Sequence, residues 1–495
     1  MDYVAIFHAN LNYAFLEPFF FERTIRASYE TIIDVFRERC PDAKYVFEAS
    51  GYTVEHIAKV CPDVFDKLKD AIERGQCEFM GSPYAHPILA NIPEEDGRWA
   101  NEFAMRTFEE YLGFRPESGW NPECTWRQHV PRTFRDVGYK YLTLDFESYK
   151  VSTDKEYGWV ERNRGRNIYW GGHLPEYDLD PDDPALHRPF QDVVPGLGGM
   201  CRSDRLAGRS IGYFLGRVPL EDYIENIERW SGSGGDGSLI IVADDAEYCG
   251  TRGYYDIKHY GDYSKCFGVV PEAGDRLEAM VNAVCELGDM ITFKEACEKE
   301  PVGEPFFVED GMAWHRTYAE VWGSTPEAKR FDPQLDLIRQ DYKRNVQPVA
   351  EADEQYNELV DKFWFHLTCA ANSDGRWPPP PRETSEYHRG WVEREIDRAR
   401  QALDQLKAAV GGPIVVGEER KAESATKHVM TREFTVDEVP DLNWKELQDA
   451  LYYAHALNDE PETCEEGAEL IRAVFAEYER RGVDRCEPPR IRECD

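Results

Sequence analysis

YVAIF, residues Tyr3–Phe7, is an apolar run of five that stops at the polar His8. Its length suits a buried strand and is too short for a helix. Behind it, Glu22–Arg39 carries Ile25, Tyr29, Ile32, Ile33 and Phe36 at helical spacing, and Lys44–Phe47 (KYVF) returns to a strand. Strand, amphipathic helix and strand in such short order predict a βαβ unit, the building block of a parallel sheet.

The alternation continues. A helical stretch over Thr53–Arg74 precedes strand candidates at Cys77–Met80, Ser118–Trp120, Tyr139–Leu144, Asn167–Trp170 and Ser238–Val242 (SLIIV). The expected fold class is therefore α/β, a parallel sheet covered by helices. Several strands end in polar residues: His8, Glu48, Ser82, Glu123, Asp145 and Asp245. In a parallel barrel the carboxyl ends of the strands share one face, and active sites sit there. Residues 171–200, rich in Gly, Pro and Asp, read as a long surface insertion, and Ser231–Gly237 (SGSGGDG) as a flexible loop. From about residue 330 to 410 the chain turns helical, interrupted by Trp377–Pro381 (WPPPP) and ended by Gly411–Pro413. The expected divisions are residues 1–300 as a catalytic barrel, 301–412 as a helical subdomain completing the cleft, and 413–495 as a polar linker with a small helical appendage.

Of the 495 residues 42% are hydrophobic and 13% aromatic, which excludes global disorder. Asp and Glu number 94 against 58 Lys and Arg, a net charge of −36 that excludes a basic surface for nucleic acid. Only 18 of those cations are lysines; 40 are arginines. A dispersed acidic surface poor in lysine resembles the cytosolic proteins of salt-accumulating microbes. Molar salt there shrinks the Debye length to about 3 Å and screens self-repulsion. The 13 cysteines lie without CxxC spacing, and neither HxH nor HxxxH occurs, so no zinc site or disulfide framework is expected. No run approaches the roughly 18 apolar residues of a membrane span, and MDYVAIFHAN has no basic leader. The expectation is a reduced, cytoplasmic (halophilic) protein with no nucleic-acid or membrane partner, no metal and no cofactor. The sequence specifies no oligomeric state.

Two segments carry the chemistry. In GWNPECTW (Gly119–Trp126), Glu123 follows a short strand and a proline, flanked by Trp120 and Trp126. A lone acid there is ordinarily a first-turn helix residue. The indoles favour a sugar site, because their faces are good platforms for pyranose rings. In IIVADDAEYCG (Ile240–Gly250), an apolar strand runs straight into Asp244, Asp245 and Glu247. Three carboxylates at one strand end repel, which raises the pKa of at least one and suits it to act as an acid near neutral pH. A carboxylate and a protonated carboxyl are the minimal equipment for glycoside hydrolysis.

The order of these segments resembles glycoside hydrolase family 57, α-glucan-active enzymes with a (β/α)7 barrel. His8 in FHANLNY is similar to the family's first motif, and GQCE with GSPYAHPIL, containing His86, to the second. WNPE resembles the third, whose Glu is the nucleophile, and DDAEYCG the fourth, whose Asp is the acid/base. NSDGRW resembles the fifth, and the CRSDRLAGRSIGYF segment the stretch before the fourth. The resemblance implies Glu123 as nucleophile and Asp245 as acid/base. It implies His8, His86, Trp120, Arg202, Glu247, Asp374 and Trp377 as substrate contacts, on an α-glucan or maltooligosaccharide. Against the motif, Asn10 and Asn12 replace a His and a Pro, and Thr251 follows Gly250. His8 and His86 read equally as core histidines when taken singly, Trp377 as packing against the prolines, and Arg202 as a structural ion-pair partner. The expected activity is α-amylase-like retaining hydrolysis. The alternatives are a 4-α-glucanotransferase or branching-type transglycosylase, and a carbohydrate-binding relative without catalysis. A metal-dependent deacetylase requires a His/Asp triad that the sequence lacks.

Overall fold

The computed structural model describes the chain except residues 14–15, 155–179, 233–234, 255–266, 315–316, 378–385, 412–434, 442–449, 451–453, 455–463 and 481–495. Eight strands form one sheet: β1 (Asp2–Ala9), β2 (Tyr45–Ser50), β3 (Cys77–Ser82), β4 (Ser118–Gly119), β5 (Tyr141–Asp145), β6 (Phe190–Val194), β7 (Leu197–Arg202) and β8 (Ser238–Asp245). Their order is β6-β7-β5-β4-β3-β2-β1-β8, and every pairing is parallel except β6 with β7. The seven parallel strands curl until β7 and β8, the ends of the run, come within 8 Å without pairing. This is the expected (β/α)7-type barrel.

The strands read as unbroken apolar runs because helices cover one side and the barrel interior the other. All six residues of β2 are buried, as are seven of the eight in β8. The first crossover is helical from Phe21 to Arg39, alternating α and π turns, and buries Ile25, Tyr29, Ile32, Ile33 and Phe36. The expected Thr53–Arg74 helix is two, Gly51–Val60 and Pro62–Glu73, broken at Cys61 because a proline follows.

One expectation is corrected, and others fall outside the described residues. Residues 171–200 are not one surface insertion: from Pro184 onward they contain a short helix, β6 and the first part of β7. The LGGMCR sequence of β7 reads like a loop because of its glycines. Those glycines serve close packing, since a Cβ on Gly199 would lie 2.2 Å from the Leu142 carbonyl oxygen of β5. The Asn167–Trp170 strand candidate and the 413–434 linker lie outside the described residues. In the expected helical appendage one helix is described, Cys464–Arg480.

Helices Pro326–Asn345, Asn357–Cys369 and Glu386–Val410 form the expected helical region. Arg339 anchors it to the barrel with a two-pronged, buried pair to Asp96 of the helix Glu94–Leu112 (2.5–3.0 Å). Next to β3, Asn372 donates to the Ala85 carbonyl (2.7 Å) and Ser373 N to the His86 carbonyl (3.2 Å). These bonds bring Asp374 to the carboxyl end of the sheet.

Candidate active site

Register assembles the centre of the site. His8 is the in-register neighbour of Glu48 on β2 and of Asp245 on β8, so three polar residues form one row across adjacent strands. A bulge makes the row. Val4 faces Ile240 but Ala5 faces Val242, so β8 carries one extra residue, Ile241. Without that insertion the register would set Asp244 beside His8, and every β8 side chain beyond it would switch faces. Asp245 is half-buried, whereas Asp244 is buried and accepts the Asp245 amide proton (2.9 Å).

Glu123 comes from the turn after β4. Trp120 N donates to the Gly81 carbonyl (2.8 Å), Asn121 Nδ2 to the Thr125 carbonyl (2.6 Å) and Trp126 N to the Met312 carbonyl (2.7 Å). This scaffold forces two consecutive non-glycine residues, Glu123 (φ 54) and Cys124 (φ 47), into left-handed geometry. His86 (φ 53) is a third. Phe267 (φ 49), the only other one among the described residues, packs on Tyr13 at 6.0 Å. Such residues cost on the order of 1–3 kcal/mol each and persist where surrounding structure over-determines them, characteristically at functional sites.

The electrostatics tie the groups to one space. Burial, then the Asp374 and Asp245 carboxylates, push the Glu123 carboxyl well above its ordinary range, and His8 pulls it back. Burial, then Asp244 and Glu247, raise Asp245, against His8 and a hydrogen bond from Tyr13. Burial also raises Glu247 to about 7, although the Tyr29 hydroxyl and the Asn10 amide (2.9 Å) donate to it. For His8, burial favours the neutral ring. Glu48, which accepts the Nδ1 proton, together with Asp245 and Glu247 outweighs it and raises His8 to about 10. His8 is thus an imidazolium among carboxylates. His86, buried and facing that charge, is held well below its ordinary value and is neutral.

The expected site residues divide into two sets. Glu123, Asp245, His8, His86, Glu247 and Asp374 are brought together at the carboxyl end of the barrel. The other three, Trp120, Trp377 and Arg202, are also buried. Trp120 is buried and stacks on His8 (5.1 Å, 17°), while Trp377 packs edge-on against Trp322 (6.1 Å). Arg202 has no exposed surface. Its Nη1 bridges Asp145 (2.9 Å) and Asp204 (2.7 Å), with its guanidinium over Trp314 at 5.4 Å. Asp145, Glu147 and Asp204 bring ligand oxygens within 4.8 Å of one another; Arg202 pairs with Asp145 and Asp204, and the Arg205 charge acts on Glu147. Its placement is that of a structural ion-pair partner. Asn10 and Asn12 are both buried, and Asn10 fixes the loop after β1 by accepting the Asn12 amide (3.0 Å) and donating to Glu247. Tyr13 and the His8-to-Glu48 pairing were not singled out in the sequence, whereas Asp244 was. The polar end of β2, after YVF, was the one available signal.

The sequence profile described as glycosyl hydrolase family 57 matches residues 8–301, more than half of the chain. The chain belongs to glycosyl hydrolase family 57. Individual relatives match over shorter stretches. An α-amylase of Pyrococcus abyssi is 28% identical over 137 residues, 27% of this chain and 21% of the relative. A 4-α-glucanotransferase of Thermococcus litoralis is 30% identical over 125 residues, 25% of this chain and 19% of the relative. The matched stretch spans about a fifth of each relative's length. In fold, the chain is similar to a family 57 branching enzyme of Thermococcus kodakaraensis (TM-score 0.59, 14% identity, 86% of this chain and 98% of that one). It is also similar to the crystal structure of the Thermococcus litoralis 4-α-glucanotransferase (TM-score 0.56, 17% identity, 81% of this chain and 60% of that one). Among the described residues no helix is long and apolar enough to cross a membrane.

Proposed function

We propose that this family 57 protein is a retaining glycosidase acting on the α-1,4 linkages of α-glucans, with Glu123 as nucleophile and Asp245 as acid/base. The observation that carries the reading is the pair of acids, distant in sequence, in which the Asp245 charge raises Glu123 and His8 acts on both. The Glu123 carboxylate attacks the anomeric carbon as the Asp245 proton passes to the departing glycosidic oxygen. A covalent glycosyl-enzyme results. Asp245, now a carboxylate, takes the proton of the entering hydroxyl, whose oxygen displaces Glu123. Crowding with Asp244 and Glu247 favours a proton on Asp245 in the resting state; burial, Asp374 and Asp245 raise Glu123 as well, and the His8 imidazolium opposes that rise as the Glu123 carboxylate forms.

A second reading differs only in the entering hydroxyl. Glu123 is 4% exposed, and dry surroundings favour a sugar acceptor over water. That supports glucanotransferase chemistry, the activity named for the Thermococcus litoralis relative. Incubation with maltoheptaose in molar salt tests both readings. Shorter products alone indicate hydrolysis, and longer ones transfer. Glu123→Ala is expected to abolish turnover with its thermal transition retained. Persisting turnover, or a first product of inverted anomeric configuration, removes the assignment.

A further inference from the structure

Glu48 has no part in the chemistry described above, and its position on β2 is unfavourable for folding alone. It is fully buried in a strand that otherwise reads YVF and AS. A buried ion pair is commonly replaceable by apolar residues at no cost in stability, so packing gives no reason for a carboxylate there. One of its oxygens, Oε2, accepts the His8 Nδ1 proton, while Oε1 has no hydrogen-bond partner among the described residues. Its single polar commitment is His8.

His8 in turn is held on every side. Trp120 stacks on its ring, and His86 tilts against it at 5.2 Å. His86 is itself tied through Nδ1 to Ser373 Oγ (3.2 Å). The charged groups facing His8 are Glu48 from β2, Asp245 and Glu247 from the end of β8, and Glu123 from the turn after β4. Asp374 and Asp244 lie beyond it, against Glu123.

We propose that Glu48 is a positioning residue that fixes the orientation and the positive charge of His8, so that His8 is the cation beside which Glu123 ionises next to Asp374 and Asp245. The inference rests on the nucleophile reading of Glu123. The partner of one ring nitrogen sets the state of a histidine, and the in-register row Glu48–His8–Asp245 makes Glu48 that partner. The charge is delivered where an uncompensated cluster of carboxylates would otherwise retain its protons.

The test is a histidine-selective NMR titration in molar salt, with the His8 signal assigned from the His8→Gln protein, alongside pH–rate profiles on maltoheptaose. In the wild type His8 should remain charged from pH 6 to 9. In Glu48→Gln, whose amide keeps the shape without the charge, His8 should titrate inside that window. kcat should then fall about 10-fold or more at pH 8, yet stay within about 3-fold of wild type at pH 5.5, a size in keeping with loss of one positioned ionisation. Glu48→Asp, which keeps the charge, should restore the alkaline limb in part. A wild-type His8 that titrates near its ordinary value overturns the proposal without any variant, and so does a Glu48→Gln profile parallel to wild type. If the wild type leaves glucans untouched, the nucleophile reading fails, while the NMR titration still decides whether Glu48 holds the charge on His8.

Discussion

Replacing Glu123 by glutamine should remove activity and, at neutral pH, make the protein more stable relative to wild type than it is in acid. In the folded chain the Glu123 carboxyl is raised above its ordinary value of 4.5, chiefly by burial and then by Asp374 and Asp245. Below pH 4.5 both folded and unfolded chains hold the proton, and the group has no effect on stability. Above it the unfolded chain releases the proton while the folded chain retains it. Wild-type stability therefore declines as pH rises, by at most about 1.4 kcal/mol per pH unit until the folded group ionises. Between pH 4.5 and 6.5 that limits the effect to roughly 3 kcal/mol, and sharing of the proton with Asp245 and Asp374 reduces it to about 1–3 kcal/mol. Glutamine does not titrate. Its amide brings a fixed cost, because Glu123 Oε2 already lacks a partner among the described residues and an amide there is no better satisfied. A fixed cost cancels when the variant and wild type are compared at two pH values. In a chain of 495 residues, scanning fluorimetry should show the melting-temperature difference, variant minus wild type, rising by roughly 1–3 °C from pH 4.5 to 6.5. A difference that is flat, or that shrinks as pH rises, would refute both the burial of this acid and its crowding by the other two.

Two further outcomes follow from packing and composition. Gly250→Ala should prevent folding or lower the melting temperature by about 1–3 °C or more, because its Cβ would lie 1.7 Å from the Ala27 carbonyl oxygen and overpacking of this kind costs roughly 1–3 kcal/mol or more; a variant melting with wild type would show that the loop after β8 does not pack on the first crossover helix. Raising KCl from 0.1 to 2 M should increase the melting temperature, since a net charge of −36 repels itself and the Debye length contracts from about 10 Å to a few ångström; a constant or falling value would place the acids in favourable pairs instead.

How much of this was legible in the sequence depended on which physical signal each residue left. YVAIF and SLIIV are buried on both faces and could be read directly as parallel strands. Glu123 and Asp245 stood out because each ends an apolar run. β7 was missed for the opposite reason: Gly198 and Gly199 look like a loop and are in fact the condition for close approach to β6 and β5 respectively. Arg202 and Trp120 carried the right residue types for sugar contact, yet whether such a side chain faces a cleft or lies beneath it is decided by tertiary neighbours. Asp145 and Asp204 hold the arginine, and His8 covers the indole. Glu48 could be marked as polar at a strand end, but its partner lies forty residues away and is set by strand register.

Register is also where the cost and use of the site meet. Seven parallel strands would tolerate apolar ends, and an apolar row at Glu48, His8 and Asp245 would be the simpler way to close the barrel. The chain instead buries a carboxylate beside a histidine, inserts Ile241 to bring Asp245 rather than Asp244 into line, and holds Glu123 and Cys124 in left-handed backbone. Each departure is unfavourable by itself. Together they converge on one place, where a cation lies among acids whose protons must be unequally shared. Folding alone requires none of these features, whereas transfer of a glycosyl group between a carboxylate and a hydroxyl requires that unequal sharing.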